Sequence, residues 1–246
     1  MKILLKIAYD GTNYFGWQYQ PNVITIEKQL GIALSKIYNH KIMLRGASRT
    51  DTKVNALAQH ATFLVEKSII PLDRIPQVVN KILPSDIVVI SAREVSEEFD
   101  ARYDAKEKTY TYRIQNSETV NPINRNSTYC VRKKLDVDLM NEGAKYFLGT
   151  HDFSAFRSLG GSVKSTVRTI HEIHLTREGE IITLTVRGDS FLYNMVRIMV
   201  GTLIKVGKKK IMPCHVADII LSKDRSFAGN TAEPQGLTLV DIKYEH

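Results

Sequence analysis

Apolar residues recur at every second position in some stretches and at helical spacing in those between, and this alternation runs through the chain twice. In the first pass Ile3, Leu5 and Ile7 alternate with Leu4, Lys6 and Ala8, which is strand periodicity. An aromatic-rich loop follows, and Thr25 then stands as N-cap of a helix carrying Ile26, Leu30, Ala33, Leu34 and Ile37 on one face. Strands are expected at 41–45, 59–66 and 86–94, with a helix at 72–83. In the second pass 106–115 reads as a strand with Tyr110, Tyr112 and Ile114 on one face. A helix at 135–148, capped near Asp136 and stopped by Gly149, precedes a hairpin of 166–176 and 180–187 around Glu178-Gly179. Helices at 192–206 and 215–222 and a last strand at 236–243 complete the order. Strands joined by hairpins as well as helices predict an α+β fold with a largely antiparallel sheet. The two passes predict two related halves, 1–105 and 106–246.

With 43% hydrophobic residues in 246, the chain can bury a real core. Its formal net charge of +8 points towards a polyanionic partner but says nothing about fold. Cys130 and Cys214 are far apart and form no CxxC pair, so neither a disulfide framework nor a zinc cluster is expected. The apolar run at the N-terminus is too short for a signal peptide. The longest apolar segment, 191–206, is interrupted by Asn194, Arg197 and Lys205, short of the ~20 apolar residues that span a bilayer. These features predict a soluble, cytoplasmic protein with no membrane partner.

Several constellations carry chemistry only on one of two readings. His171 and His174 have a metal-like look, but residues three apart on a strand point to opposite faces, so two ordinary strand histidines are expected. The stretches from Gly201 to Lys209 and from Gly161 through Lys164 to Ser165 lack the spacing of a phosphate loop. Lys208, Lys209 and Lys210 read as a solvated run ending a helix, with RNA backbone contact as the second reading. The loop 45–53 sets Asp51 among Arg45, Arg49 and Lys53 in a segment of small residues. A carboxylate so placed is expected to stay ionised, which suits a nucleophile; an Asp capping a turn fits equally. Arg197 lies on a largely apolar helix, either paired with a carboxylate such as Asp51 or snorkelling to the edge. Tyr14, Phe15, Trp17, Phe153 and Phe156 either stack on unpaired bases or belong to a core.

Six motifs in series resemble the tRNA pseudouridine synthase A family from end to end. They are Tyr9-Asp-Gly-Thr-Asn-Tyr-Phe-Gly-Trp-Gln, Gly46-Ala-Ser-Arg-Thr-Asp51, and Lys108-Thr-Tyr110-Thr-Tyr112. Gly149-Thr-His-Asp-Phe153-Ser-Ala-Phe156-Arg157, Asn194-Met-Val-Arg197-Ile-Met-Val-Gly201 and Pro234-Gln-Gly236-Leu-Thr-Leu-Val240 complete them. The resemblance implies two RRM-like α/β halves sharing a continuous sheet, an active-site cleft between them, and a homodimer. It implies isomerisation of uridine to pseudouridine at positions 38–40 of the tRNA anticodon arm, without metal or cofactor. By position, Asp51 is the implied catalytic aspartate and Tyr110 stacks on the target base. Arg197 pairs with the aspartate, and Arg49 helps displace the base. As RNA-contacting residues we take Arg49, Lys53, Tyr14, Trp17, Phe153, Phe156, Arg157, Lys164 and Arg168.

The chain departs from the family in one place. Where the family reads Arg-Thr-Asp-Ala-Gly-Val-His-Ala, this sequence has Arg49-Thr-Asp51-Thr52-Lys53-Val54-Asn55-Ala56. Loss of the glycine matters if its backbone needs φ > 0, which lysine tolerates poorly. Two alternatives follow: a synthase moved to another RNA site, and an RNA-binding protein without turnover. Asp51, Tyr110 and Arg197 all survive, and the aromatic signature of an RRM binding sheet is absent, both of which favour the enzyme.

Overall fold

Strand β1 (Lys2–Tyr9) buries Ile3, Leu5 and Ile7 completely, as its alternation demands. Helix α1 (Ile26–Tyr38) begins at Thr25, whose hydroxyl accepts the Lys28 amide and ends the loop before it. Then come β2 (Arg45–Gly46), β3 (Asn55–Leu64), α2 (Ile75–Asn80) and β4 (Ile87–Val95). The next elements are β5 (Glu107–Gln115), β6 (Tyr129–Cys130), α3 (Val137–Ala144), β7 (Gly149–Asp152), β8 (Val167–Glu178) and β9 (Ile181–Gly188). Helices α4 (Met195–Gly207) and α5 (His215–Ser222) precede β10 (Leu237–Lys243). These positions come from a computed structural model, which describes residues 1–160 and 165–245.

The chain divides into two units, one of residues 1–106 with 239–246 and one of residues 107–238. In the first, β1 lies between β3 and β4, antiparallel to both, and β10 lies beside β3. Tyr38 at the end of α1 meets Phe63 of β3 edge to face at 5.7 Å, tying helix to sheet. In the second unit β5, β9, β8 and β7 follow one another, each antiparallel to the next, and the short β6 runs parallel to β5. Tyr110, Tyr112 and Ile114 face the core from β5, while Ile182, Leu184 and Val186 do so from β9. The mixed α+β fold with a mostly antiparallel sheet agrees with the periodicities.

Four elements are shorter than their apolar patterns. The strand expected at 41–45 shrinks to Arg45–Gly46, because the Ile42 amide is taken by the Ser35 hydroxyl. The helix expected at 72–83 is a 3₁₀ turn, Leu72–Arg74, followed by α2. Its far end closes where the Asn80 carboxamide pairs with both the N–H and the C=O of Val89, a side-chain alternative to continued helix. The helix expected at 135–148 is α3 followed by a 3₁₀ turn, Lys145–Phe147. Helix α4 starts only at Met195, because Asn194 sits in the left-handed region at φ 61°.

A titratable group with a shifted pKa lies on β3. His60 is half-buried, meets the Tyr244 ring at 5.4 Å, and its Nδ1 has no hydrogen-bond partner among the described residues. Burial, and then the Lys6 ammonium, with Arg93 adding to it and Asp241 opposing, bring the imidazole down to about 4. An unfolded histidine titrates near 6.5, so below that pH the unfolded state takes up a proton that the folded state refuses. This stabilisation is complete above pH 6.5 and is lost as pH falls from 6.5 towards 4. Wild type is expected to lose roughly 2–3 kcal/mol more than His60→Gln between pH 7.5 and 4.5 in urea unfolding. Equal losses would show that the ring is not desolvated.

Candidate active site

The loop that carries Asp51 leaves β2 and returns as β3, and both its legs are bonded to fixed groups. On the incoming leg Gln59, fully buried, accepts the Ser48 amide at 3.2 Å and donates to the Ser48 carbonyl at 2.6 Å. The Tyr9 hydroxyl and the Thr50 hydroxyl are 2.8 Å apart. On the outgoing leg the Val54 amide donates to the Asp51 carbonyl at 3.1 Å, closing a four-residue turn.

The loop of residues 10–18 lies against this turn and bonds it at three further points. Trp17 N–H donates to the Thr50 carbonyl (3.1 Å), Lys53 N–H to the Tyr14 carbonyl (3.2 Å), and Gly11 N–H to Asn55 Oδ1 (2.8 Å). The backbones approach so closely that only glycine fits at two positions. A Cβ on Gly11 would lie 2.1 Å from the Val54 oxygen, and one on Gly16, itself at φ 82°, would lie 2.5 Å from the Thr50 oxygen. The Asp-Gly-x-x-Tyr-x-Gly-Trp motif is therefore a bracket for the Asp51 turn.

That arrangement corrects the reading of Tyr14 and Trp17 as base-stacking rings. Tyr14 is 5% exposed and donates its hydroxyl to Asp86; burial and then that carboxylate raise its phenol well above the usual range. Trp17 is 1% exposed and stacks on Tyr9 at 6.3 Å. Phe153 and Phe156 are likewise completely buried, clustered with Phe147 in the second unit's core. All four rings are buried. In the first loop the exposed ring is Phe15.

The departure at residue 53 has a definite geometry. Lys53 adopts φ 65° at the third position of the turn, where glycine or asparagine is ordinarily preferred. The lysine adopts this left-handed backbone at about 1–2 kcal/mol of strain. Asn55 stands where the family has histidine and serves the bracket through its bond to Gly11. Of the cations flanking Asp51, Arg45 is committed to Asp100 at 2.6 Å. Arg49 is exposed and bonded to Gln18 at 3.1 Å, and Lys53 is exposed.

The second unit holds the other two predicted catalytic residues. Tyr110, 6% exposed on β5, meets Phe191 edge to face at 5.1 Å. Two residues on, Tyr112 is fully buried, and its hydroxyl donates to the Glu233 carbonyl at 2.6 Å. Arg197 is half-buried in the first turn of α4. Its Nε donates to the Ala232 carbonyl at 2.8 Å and its Nη1 to Asn194 Oδ1 at 2.7 Å, while Asn194 bonds Ser158 through its own amide. A guanidinium fixed at two points is aimed, not snorkelling. Arg157 is half-buried. Arg168 turns its Nη1 onto the Ser165 and Val167 carbonyls, and Lys164 lies outside the described residues. His171 and His174 sit 3.9 Å from Glu107 and 3.3 Å from Glu172 respectively.

Gln59, buried between Ala58 and His60 on β3, escaped the sequence reading. So did Asp86 and Phe191. A left-handed residue 53 makes Lys53→Gly more stable than wild type by up to about 1 kcal/mol in urea unfolding, and Lys53→Val less stable by about 1 kcal/mol or more. A Lys53→Gly protein weaker than wild type would contradict the turn.

With this geometry in hand, the family profile described as tRNA pseudouridine synthase matches residues 6–104 and 144–245. The tRNA pseudouridine synthase A of Thermoanaerobacter sp. (strain X514) is 45% identical over 98% of this chain and 99% of its own. Those of Acetivibrio thermocellus and Ruminiclostridium cellulolyticum are each 48% identical, over 98% and 99% of this chain and 99% of theirs. Among solved structures, a chain of a Cbf5–Nop10–Gar1 complex aligns with 97% of this chain and 58% of its own at 13% identity and a TM-score of 0.37, too distant to add to the argument. A profile match in both units, with near-half identity along the full length, shows that the chain belongs to the tRNA pseudouridine synthase family.

Proposed function

We propose that the protein isomerises uridine to pseudouridine in tRNA, at positions 38–40 of the anticodon arm, with Asp51 as nucleophile. The reaction breaks the bond from C1′ to N1 and makes one from C1′ to C5. The C5 proton leaves to solvent and N1 gains one, so nothing is consumed. The observation that carries this reading is the Asp51 turn, bracketed on both legs and keeping φ 65° at residue 53. A nucleophile gains rate from being held before the substrate arrives, and a turn built only for stability has no call for a strained lysine.

The remaining roles follow from the same resemblance. Tyr110 stacks on the target base and takes the C5 proton. Arg197, already aimed by Ala232 and Asn194, pairs with Asp51 and keeps it ionised. Arg49, on the exposed side of the loop, fills the gap the base leaves, offsetting an unstacking cost of a few kcal/mol. Lys53, Arg157, Lys164 and Arg168 supply phosphate contacts. The enzyme works as a cytoplasmic homodimer of two related halves. No helix among the described residues is long and apolar enough to cross a membrane.

The left-handed backbone at residue 53 is one that glycine would also adopt, and this supports the family's usual target over a different RNA site. The test uses tRNA transcript carrying tritium at C5 of every uridine, with the modified position mapped afterwards. Wild type is expected to release tritium from the anticodon arm. Asp51→Asn is expected to release none while its tRNA affinity stays within about tenfold, since phosphate contacts carry most of the binding. Turnover by Asp51→Asn at a tenth of wild type would remove Asp51 from this role, and release from another arm would move the target.

A further inference from the structure

Lys208, Lys209 and Lys210, which the sequence presents as a solvated run ending a helix, do not stand alone in the fold. The segment of Arg132, Lys133 and Lys134 is fastened beside them by backbone and amide bonds. Asp136 N–H donates to the Gly207 carbonyl at 3.0 Å, joining this segment to the last turn of α4. Asn116 donates its amide to the carbonyls of Val131 (2.7 Å) and Lys133 (2.9 Å) and accepts the Leu135 amide (3.0 Å). Arg177 adds a further cation, bonded to Asn116 and to the Leu135 carbonyl. Lys209 sits at φ 56° with its amide on the Val206 carbonyl, so the second run turns back against the helix end.

The charges are close enough to feel one another. The Lys208 ammonium is lowered from its ordinary range by burial first, then by Lys210 and Lys133. Among the described residues the one ion pair in the cluster is Lys209 with Asp136, at 3.1 Å. The dipole of α4 accounts for cations in its last turn, within which the effect dies away. It does not account for a second run of three brought in from another segment, where like charges repel. Lysines without interleaved aromatics have the makeup of a phosphate contact, which positions a nucleic acid without reading its sequence. We infer that Arg132, Lys133, Lys134, Lys208, Lys209 and Lys210 form one surface that binds the phosphate backbone of tRNA, distinct in residues from those assigned to the reaction. The inference rests on the tRNA reading above and adds a binding surface to it.

The experiment compares wild type with Lys133→Ala/Lys134→Ala/Lys210→Ala, three exposed lysines outside the helix cap and the Asp136 pair. Unmodified tRNA binding is measured from 0.05 to about 0.5 M salt, beside kcat at saturating tRNA. A control replaces Lys36, Lys41 and Lys67 of the first unit, also exposed, with alanine. The patch variant is expected to bind tRNA about tenfold more weakly at low salt. Its slope of log affinity against log salt is expected to fall by about two to three, at 0.7–0.9 per phosphate contact. Its kcat and melting temperature are expected to hold, and the control is expected to keep the wild-type slope. An unchanged slope in the patch variant, as an acidic protein partner for this surface would leave it, overturns the inference. So does an equal fall in the control, which would show only net charge. Binding by wild type without tritium release would instead overturn the proposed reaction and leave this surface standing.

Discussion

The bonded contact between the loop of residues 10–18 and the Asp51 turn is the constraint on which the rest of the structure depends. A turn of small residues has no side chains with which to hold itself, and an isolated one samples many conformations at about 1–2 kcal/mol of entropy per residue fixed. Here that freedom is removed by neighbours: Tyr9, Trp17, Tyr14 and Gly11 on one side and Gln59 on the other. The glycines of the first loop are there because backbone meets backbone, and the buried aromatics because something rigid must stand behind them. Tyr14 shows the economy of the arrangement. Its ring is anchored on Asp86, and its carbonyl holds the strained Lys53 amide.

The second unit applies the same logic to a cation. A loop carbonyl and a helix-start asparagine hold the Arg197 guanidinium. Asn194 begins the helix in a left-handed conformation, which lets its side chain reach Arg197 and Ser158 together. The backbone of the Asp51 turn and the Arg197 guanidinium each have bonds within their own unit. Preorganised groups of this kind serve charge that develops in a transition state, because no reorganisation is needed when it forms.

Much of this was legible in the residues, for identifiable reasons. The β1, β5 and β9 strands follow their alternation closely, and the caps at Thr25 and Asp136 lie where the residue types place them. Two of the helix boundaries that failed did so where a side chain, at Asn80, or a left-handed residue, at Asn194, overrode the apolar pattern. The aromatic loop was the harder lesson. Tyr14, Trp17, Phe153 and Phe156 carry the same composition whether they stack on a base or brace a turn, and the sequence does not show their burial. The return of the last strand to the first unit involves pairing across most of the chain, which no local pattern records.

The lysine at 53 was legible as a departure and its backbone angle was not, since a sequence shows which residue is present and not what the neighbours force on it. Whether the turn is set before RNA arrives is the central claim, and amide hydrogen exchange in the RNA-free protein tests it most directly. The amides of Trp17, Lys53 and Val54 are predicted to exchange as slowly as those of β3, through opening near the global unfolding free energy. Exchange at the rate of an unstructured loop would contradict the account, and would mean that the bracket forms only on the substrate.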